Sequence, residues 1–485
     1  MRDGRRWAAV HDRSWRNLRE EIDRKARADL RLISLTEYST PGARRYAAIW
    51  EGAPAQAGDN LVFVKVDEAT FQAVADRLAA AGLRPACAVR LGTRNHPRYA
   101  CAWRLEESPP LWRASGPPVA ELSSLDEVMR RYMSERRVTA AQLAVMRRGE
   151  LVFSRAYTWG PASLRPTTTA SRLRIASISK PITALAILRL VDQGRLSLSS
   201  PLAAVLPAAV APLDPRIRRI TIEDLLWHRG GWQIDDQRDA QGRLVRRGLG
   251  FDPMFQDRVV AALLRAGRLP IESEDVITFM FRLQRLQFDP GTAQSYSNFG
   301  FNVLGRVIEE LTGQDYESYV REQILLPLGL RSFRIGRAPL AEQLPGEVLY
   351  LDARDAVSRD VHGSDALVPN QYGGWNLANM DSHGGWVCSA EELVRLAGAV
   401  LRGQVLSPAS TAWYTMQRNY PTHNGSLPGT WTWLRVRGDV IYAVLTNQRA
   451  ISRRADPGGR YAWSRTGQEL SQRLDAAIDA IANWP

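Results

Sequence analysis

Cysteine and lysine are scarce in this chain, and each scarcity narrows what it can be. Three cysteines stand among 485 residues, Cys87, Cys101 and Cys388, and their spacing is not that of a metal site. Cys87 and Cys101 fall at facing positions of an expected hairpin. A cross-strand disulfide fits there, and so do two small buried apolar side chains, so the redox compartment stays open. No apolar run approaches the roughly 18–20 residues that cross a bilayer. The opening stretch MRDGRRWAAVHDRSW is positively charged with no apolar run behind it, so no export signal stands in the sequence as written. Also missing are a G-x-S-x-G elbow, an H-E-x-x-H or H-x-H pair, and a Gly-rich phosphate loop with its lysine. These absences argue against elbow-type hydrolases, paired-histidine metalloenzymes and nucleotide chemistry. Neither a metal nor a cofactor is expected.

What remains is a folded, soluble composition, 45% hydrophobic and 24% charged, long enough for two or three domains. The net charge of +13 is carried almost wholly by arginines scattered along the chain. A general preference for arginine explains that pattern, and a weak attraction to anionic cell-wall polymers is the alternative. Sequence-specific binding to nucleic acid is not expected, because the basic residues form no cluster.

The first hundred residues match themselves when shifted by 53. Leu30-Arg31 falls on Leu83-Arg84, Thr40 on Thr93, and Arg45 to Trp50 (RYAAIW) on Arg98 to Trp103 (RYACAW). Ahead of each match runs a helical pattern, with Leu18 and Ile22 in one copy and Phe71, Ala75 and Leu78 in the other. Ser14 and Asp67 are the natural N-caps. Two strands around a polar turn follow each helix, so residues 1–112 read as two βαββ repeats. Units this small are expected to pack on one another, as an accessory or binding domain. Glu106 to Pro118 reads as a linker. A helix capped by Ser124 and Glu127 follows, then two strands, AAQLAVMRRG and ELVFSRAYTWG. Strand signals return near Thr430 to Thr446, and a last helix carries Leu470, Leu474, Ile478 and Ile481 on one face. Residues 119–485 therefore read as an α+β domain, an antiparallel sheet flanked by helices with a helical subdomain inserted.

Only three lysines occur, Lys25, Lys65 and Lys180, against about sixty arginines. A desolvated lysine can act as a base, whereas arginine stays protonated. Lys180 lies three residues after Ser177 in RIASISKPITALAILRLVDQG, so both fall on one face at the start of an apolar helix, where the amine reaches the hydroxyl. The helix N-terminus adds partial positive charge that favours an alkoxide. The segment FDPGTAQSYSNFGF carries Tyr296 and Asn298 in a turn ahead of another helix. An ammonium beside the phenol would lower its pKa, and the tyrosinate could then take the Ser177 proton. Asn298 would offer its amide to a substrate carbonyl. In THNGSLPGTWTWLRV, His423 and Gly425 lead a glycine-rich turn into a strand, and the N–H of Ser426 can join that of Ser177 in an oxyanion hole. His228 and His383 read as structural, the second with a cleft-lining alternative. Trp232, Trp375 and Trp386 read as cleft lining or buried anchors. The insert from about Asp235 to Leu283 is expected to shape substrate access.

Ser177-Ile178-Ser179-Lys180, Tyr296-Ser297-Asn298 and His423-Asn424-Gly425 together resemble the three motifs of class C β-lactamases and DD-carboxypeptidases. The phrases ITIEDLLWHRGGW, YVREQILLPLGL and DSHGGWVCSAEELVRL resemble that family too, and the likeness covers about residues 120–485. It implies a sheet domain and a helical domain with the active site between them, attack by Ser177, proton movement by Lys180 and Tyr296, and hydrolysis of an acyl-enzyme. It also implies a periplasmic or secreted protein, which would need an upstream signal segment. The family's third motif is Lys-Thr-Gly, and this chain has histidine in place of that lysine. A peptidase or esterase acting on a small-molecule or peptide substrate is therefore expected, rather than an efficient β-lactamase. The tandem repeats resemble those of polyglycine hydrolases. A catalytically silent binding or sensor protein is the competing expectation.

Overall fold

The computed structural model of the chain describes residues 6–28, 30–52, 60–106, 108–352, 356–416, 420–449 and 463–485. The first repeat consists of β1 (Trp7–Arg13), α1 (Trp15–Arg27), β2 (Leu30–Thr40) and β3 (Ala43–Gly52). The second consists of β4 (Asn60–Val66), α2 (Glu68–Ala80), β5 (Leu83–Gly92) and β6 (Pro97–Leu105). Each helix starts where a cap stands: Ser14 accepts from the Asn17 N–H and Asp67 from the Thr70 N–H. The two copies share one strand order, β1-β3-β2 and β4-β6-β5. They bury a common core, with Leu18, Ile22, Leu35 and Trp50 from one side and Val62, Val64, Ala100 and Ala102 from the other.

The hairpin is not in the register that a Cys87–Cys101 bridge needs. A bulge after Pro85 sets Cys87 opposite Ala102 and Ala88 opposite Cys101. Side chains alternate along a strand, so the two thiols point to opposite faces of the sheet. Cys87 packs into the inter-repeat core and Cys101 into the layer behind it, and both are free thiols.

The stretch read as a linker carries a strand, β7 (Leu111–Ser115), which forms the edge of the second large sheet. That sheet has six antiparallel strands, in the order His423–Leu427, Thr430–Arg437, Val440–Thr446, β8 (Ala140–Arg147), β9 (Glu150–Gly160) and β7. Alternation along β8 sends Leu143 and Val145 to one face and Ala144 and Met146 to the other. The first face is covered by α3 (Ser123–Arg136), through Leu125, Met129 and Tyr132, and by the C-terminal helix, through Leu470, Leu474 and Ile478. Ser124 does not cap α3: a 3-10 turn over Ala120–Leu122 runs straight into the helix, so Leu122 holds the cap position and Glu127 pairs with Arg130 and Arg131 instead. On the second face lie α4 (Ser179–Asp192), the helix Ala390–Leu401 and the helical part of the chain between them. The helix Asn298–Thr312 packs against α4. No helix among the described residues is long and apolar enough to cross a membrane.

The repeats are joined to this body by more than the chain. The short hairpin Val357–Arg359 and Leu367–Pro369 adds to β4, with Leu367 opposite Val64. A sheet built mostly from repeat strands is thus completed by a segment that runs on to Trp375 and His383.

Candidate active site

Ser177 is delivered by a short strand and a strained turn. Leu173–Arg174 pairs with Val387–Cys388, and the Ile175 N–H donates to the Trp386 carbonyl at 3.0 Å. Ala176 then takes φ +48°, a left-handed conformation that costs a non-glycine residue of order 1–3 kcal/mol. Its side chain is fully buried and the surrounding packing enforces the turn. One 3-10 turn over Ala176–Ile178 leads into α4, so Ser177 and Lys180 stand one turn apart at the positive end of an apolar helix.

Lys180 is fully buried, and its Nζ is held on three sides. It lies 2.8 Å from Asn298 Oδ1, 2.9 Å from the His383 carbonyl and 3.2 Å from Ser177 Oγ. Burial pulls the amine down to about 7, against an opposing pull from the Asp252 carboxylate. Near neutral pH, a large fraction of the amine is therefore unprotonated. A neutral amine has two N–H bonds and one lone pair. With Asn298 Oδ1 and the His383 carbonyl as fixed acceptors, the lone pair is left facing Ser177 Oγ.

Tyr296 and Asn298 come from the turn that opens the helix Asn298–Thr312. Ser297 is its N-cap, accepting from the Gly300 N–H, which leaves Tyr296 hanging outside the helix and Asn298 at its first residue. The Tyr296 hydroxyl donates to Ser177 Oγ at 2.8 Å, and its ring lies 4.7 Å from Lys180 Nζ. The phenol is not lowered by its neighbour. Burial and the Asp252 charge hold it above its ordinary value, and the group brought into the neutral range is Lys180. The Tyr296 side chain is 46% exposed, so the burial acts at its hydroxyl end. Asn298 is also more committed than its motif suggests. Its Oδ1 accepts from Lys180 and its Nδ2 donates to Asp252 Oδ2 at 2.6 Å, leaving one N–H for anything else.

The third motif lies on the free edge of the six-stranded sheet. A Cβ on Gly425 would stand 2.3 Å from the Ile175 carbonyl and 3.0 Å from Ala176 Cβ, so the strand runs directly against the turn that carries Ser177. Thr432 Oγ1 fastens the two together, donating to the Ile175 carbonyl at 3.0 Å, with the Gly425 carbonyl at 3.4 Å. His423 is half-buried. Burial and Lys180 pull its imidazole down to about 4, so it is neutral at neutral pH. With Nδ1 at 2.6 Å from the Asn424 carbonyl and donating to it, Nε2 is an acceptor.

His228 and His383 divide. His228 accepts the Ser297 N–H on Nδ1, and its ring lies 4.6 Å from that of Tyr296, so it props the phenol. His383 is 1% exposed and lines no cleft; its contribution to the site is the carbonyl that holds Lys180. Trp232, Trp375 and Trp386 are buried anchors. Trp375 packs beside Phe255 and, with Ala176 and Leu427, forms a small apolar cluster behind the Ser177 turn. Sequence reasoning missed three contributors: Asp252, the His383 carbonyl and Thr432. Only Asp252 had any signal, an Asp-Pro turn inside the insert, and that signal speaks of a cap rather than of a charge beside Lys180.

The Beta-lactamase family model matches residues 125–464, and a model described as "Polyglycine hydrolase-like, structural repeat" matches residues 4–53 and 64–104. The chain is similar to Esterase EstB of Burkholderia gladioli, at 32% identity over 213 residues, which cover 43% of this chain and 50% of that one. It is similar to Penicillin-binding protein 4 of Amycolatopsis lactamdurans at 26% over 306 residues, covering 58% and 73%. Among solved structures, the D-amino acid amidase of Ochrobactrum anthropi SV3 superposes with a TM-score of 0.55 at 18% identity, covering 75% of this chain and 100% of that one. The octameric penicillin-binding protein homologue of Pyrococcus abyssi gives 0.51 at 21%, covering 73% and 77%. At those identities the likeness is one of fold. The chain spans less than two thirds of the length of the first curated relatives that it matches.

Proposed function

The chain belongs to the beta-lactamase family, and from that premise we propose that it is a serine hydrolase, forming an acyl-enzyme on Ser177 and hydrolysing a peptide, amide or ester bond. The observation that carries this is the arrangement around Lys180 Nζ: two fixed acceptors take its N–H bonds, and the third direction is Ser177 Oγ. In the reaction, Oγ bonds to the substrate's carbonyl carbon as its proton passes to the Lys180 amine. The Tyr296 hydroxyl, bonded to the same Oγ, protonates the leaving group, and the proton held by Lys180 restores the phenol. The N–H groups of Ser177 and Ser426 receive the negative charge on the carbonyl oxygen. Water then repeats the sequence on the acyl-enzyme.

His423 bears on the substrate. A neutral ring offering an acceptor has no charge with which to hold a carboxylate. This supports an uncharged group at that position, as in an ester, an amide or an internal peptide bond, and disfavours efficient β-lactam turnover. In this reading residues 119–485 are the catalytic part and residues 1–112 an accessory part.

The test is intact-mass spectrometry after incubation with a fluorescent penicillin and, separately, a fluorophosphonate, on wild type and Ser177→Ala. One adduct per chain, absent from the variant, is the expected result. No adduct from either probe would overturn the reading in favour of a silent binding protein. Nitrophenyl esters, D-alanyl peptides and glycine-rich peptides would follow as substrates.

A further inference from the structure

The helical insert supplies a carboxylate to the site that none of the three motifs contains. Asp252 lies in the loop that leads to Pro253–Phe255, where its Oδ1 accepts from the Met254 N–H at 3.0 Å and caps that turn. Its other oxygen, Oδ2, accepts from Asn298 Nδ2 at 2.6 Å. The opposite end of the same amide, Oδ1, is 2.8 Å from Lys180 Nζ, and Nζ is 3.2 Å from Ser177 Oγ. One file of hydrogen bonds therefore runs Asp252–Asn298–Lys180–Ser177.

The orientation of an amide between an amine and a carboxylate is decided by the carboxylate. Ionised, Asp252 can only accept, so it draws the NH2 end of Asn298 and turns the oxygen toward Lys180. Without it, the amide could present NH2 to the amine, and the direction of the Lys180 lone pair would be lost. Resting on the acyl-transfer reading above, we propose that Asp252 is a positioning residue for that reaction: its carboxylate orients the Asn298 amide and, through it, aims the Lys180 amine at Ser177.

The other groups around Lys180 leave Asp252 as its counter-charge. His228, His423 and His383 face it from three separate segments and are all neutral, drawn down to about 3, to about 4 and well below the ordinary value by burial and by Lys180. Tyr296 is a neutral phenol. Arg306 is tied by Asp381 and Glu309. Among the described residues Asp252 is the acid whose charge acts on Lys180, and it opposes the effect of burial. The same segment is anchored beyond Asp252 as well, since Phe255 packs beside Trp375 in the apolar cluster behind the Ser177 turn.

The experiment is the pH profile of acylation by a nitrophenyl ester in wild type, Asp252→Asn and Asp252→Glu, with KM, kcat and thermal midpoint measured for each. Asp252→Asn removes the charge that favours the ammonium, so its acid limb moves to lower pH. Its plateau kcat falls by about tenfold, with KM and the midpoint little changed. Asp252→Glu keeps the charge but displaces it, so its limb stays near that of wild type while its plateau falls; this variant decides the matter if Asp252→Asn does not fold. Folded variants whose limb and plateau coincide with those of wild type would overturn the role of Asp252. A wild type that fails to acylate Ser177 at all would instead overturn the acyl-transfer reading.

Discussion

Replacing Lys180 by methionine separates the amine's cost to folding from its use in chemistry. The folded amine sits at about 7, against about 10.4 for an unfolded lysine. Below pH 7 both states hold the proton, and the folded protein carries the whole cost of a buried ammonium. Above pH 7 the folded amine sheds its proton while the unfolded one keeps it, so stability rises with pH. At 1.36 kcal/mol per unit, the rise from pH 7 to pH 9 is roughly 2–3 kcal/mol, and about 4–5 kcal/mol when complete near pH 10.4. Lys180 is 0% exposed, so solvent screening takes little from that figure. Lys180→Met removes this term, but it also leaves Asn298 Oδ1 and the His383 carbonyl without their donor, at about 1–3 kcal/mol each. Stability at a single pH therefore mixes two effects of similar size, whereas the slope isolates the titration. Urea unfolding at pH 6, 7, 8 and 9 should give a wild-type stability that climbs relative to the variant by that amount above pH 7. In wild type, kcat/KM should rise through an acid limb near pH 7, because the unprotonated amine is the reactive form. Parallel stability curves, or a limb above pH 9, would refute the picture of a desolvated lysine base.

Two further substitutions test the neighbours of Ser177. Tyr296→Phe should lower kcat by about 10²–10⁴, the usual share of a positioned proton donor, and leave the unfolding midpoint unchanged. The hydroxyl's described bond is to Ser177 Oγ, and the half-exposed ring stays in place. An equal fall in stability would recast the phenol as a structural bond. Gly425→Ala puts a methyl 2.3 Å from the Ile175 carbonyl and 2.5 Å from Thr432 Oγ1, so the edge strand must move off the Ser177 turn. Labelling by a fluorophosphonate should slow by about 10²–10³, the cost of losing one oxyanion donor. Labelling at the wild-type rate would remove the strand from the site.

Much of this organisation was legible in the chain, for identifiable reasons. The repeats were readable because period-2 strands and capped helices recur without a gap, and the duplicated strand order follows. The Ser177–Lys180 pair was readable because one turn of helix brings positions three apart together. Other features depended on tertiary context. The Leu111–Ser115 strand lies in a Pro- and Ser-rich stretch, and only its partner β9 gives it a ladder to join. The hairpin bulge after Pro85 shifts the register by one residue, and one residue is enough to send Cys87 and Cys101 to opposite faces. The 3-10 turn ahead of α3 displaced the cap expected at Ser124, because a helix can be entered from a turn as well as from a capping side chain.

The candidate site was readable as a set of neighbouring residues and unreadable as an electrostatic arrangement. Motif spacing brings Ser177, Lys180, Tyr296, Asn298, His423 and Gly425 to one place, but proton affinities there depend on how deeply each group is buried and which charges face it. Burial disfavours the charged form of each group, so the Lys180 amine loses affinity for its proton while the Tyr296 hydroxyl, which also faces the Asp252 charge, gains it. Burial is the larger cause of both effects, and the Asp252 charge, which raises both groups, comes from a loop lying 44 residues before Tyr296 in the chain, at no spacing that any helix or strand period would mark. The scarcity of lysine carried more information than any one of the three motifs alone. In a chain that uses arginine almost everywhere, the fully buried Lys180 has the one property arginine lacks, an amine whose affinity for its proton burial can bring down to about 7.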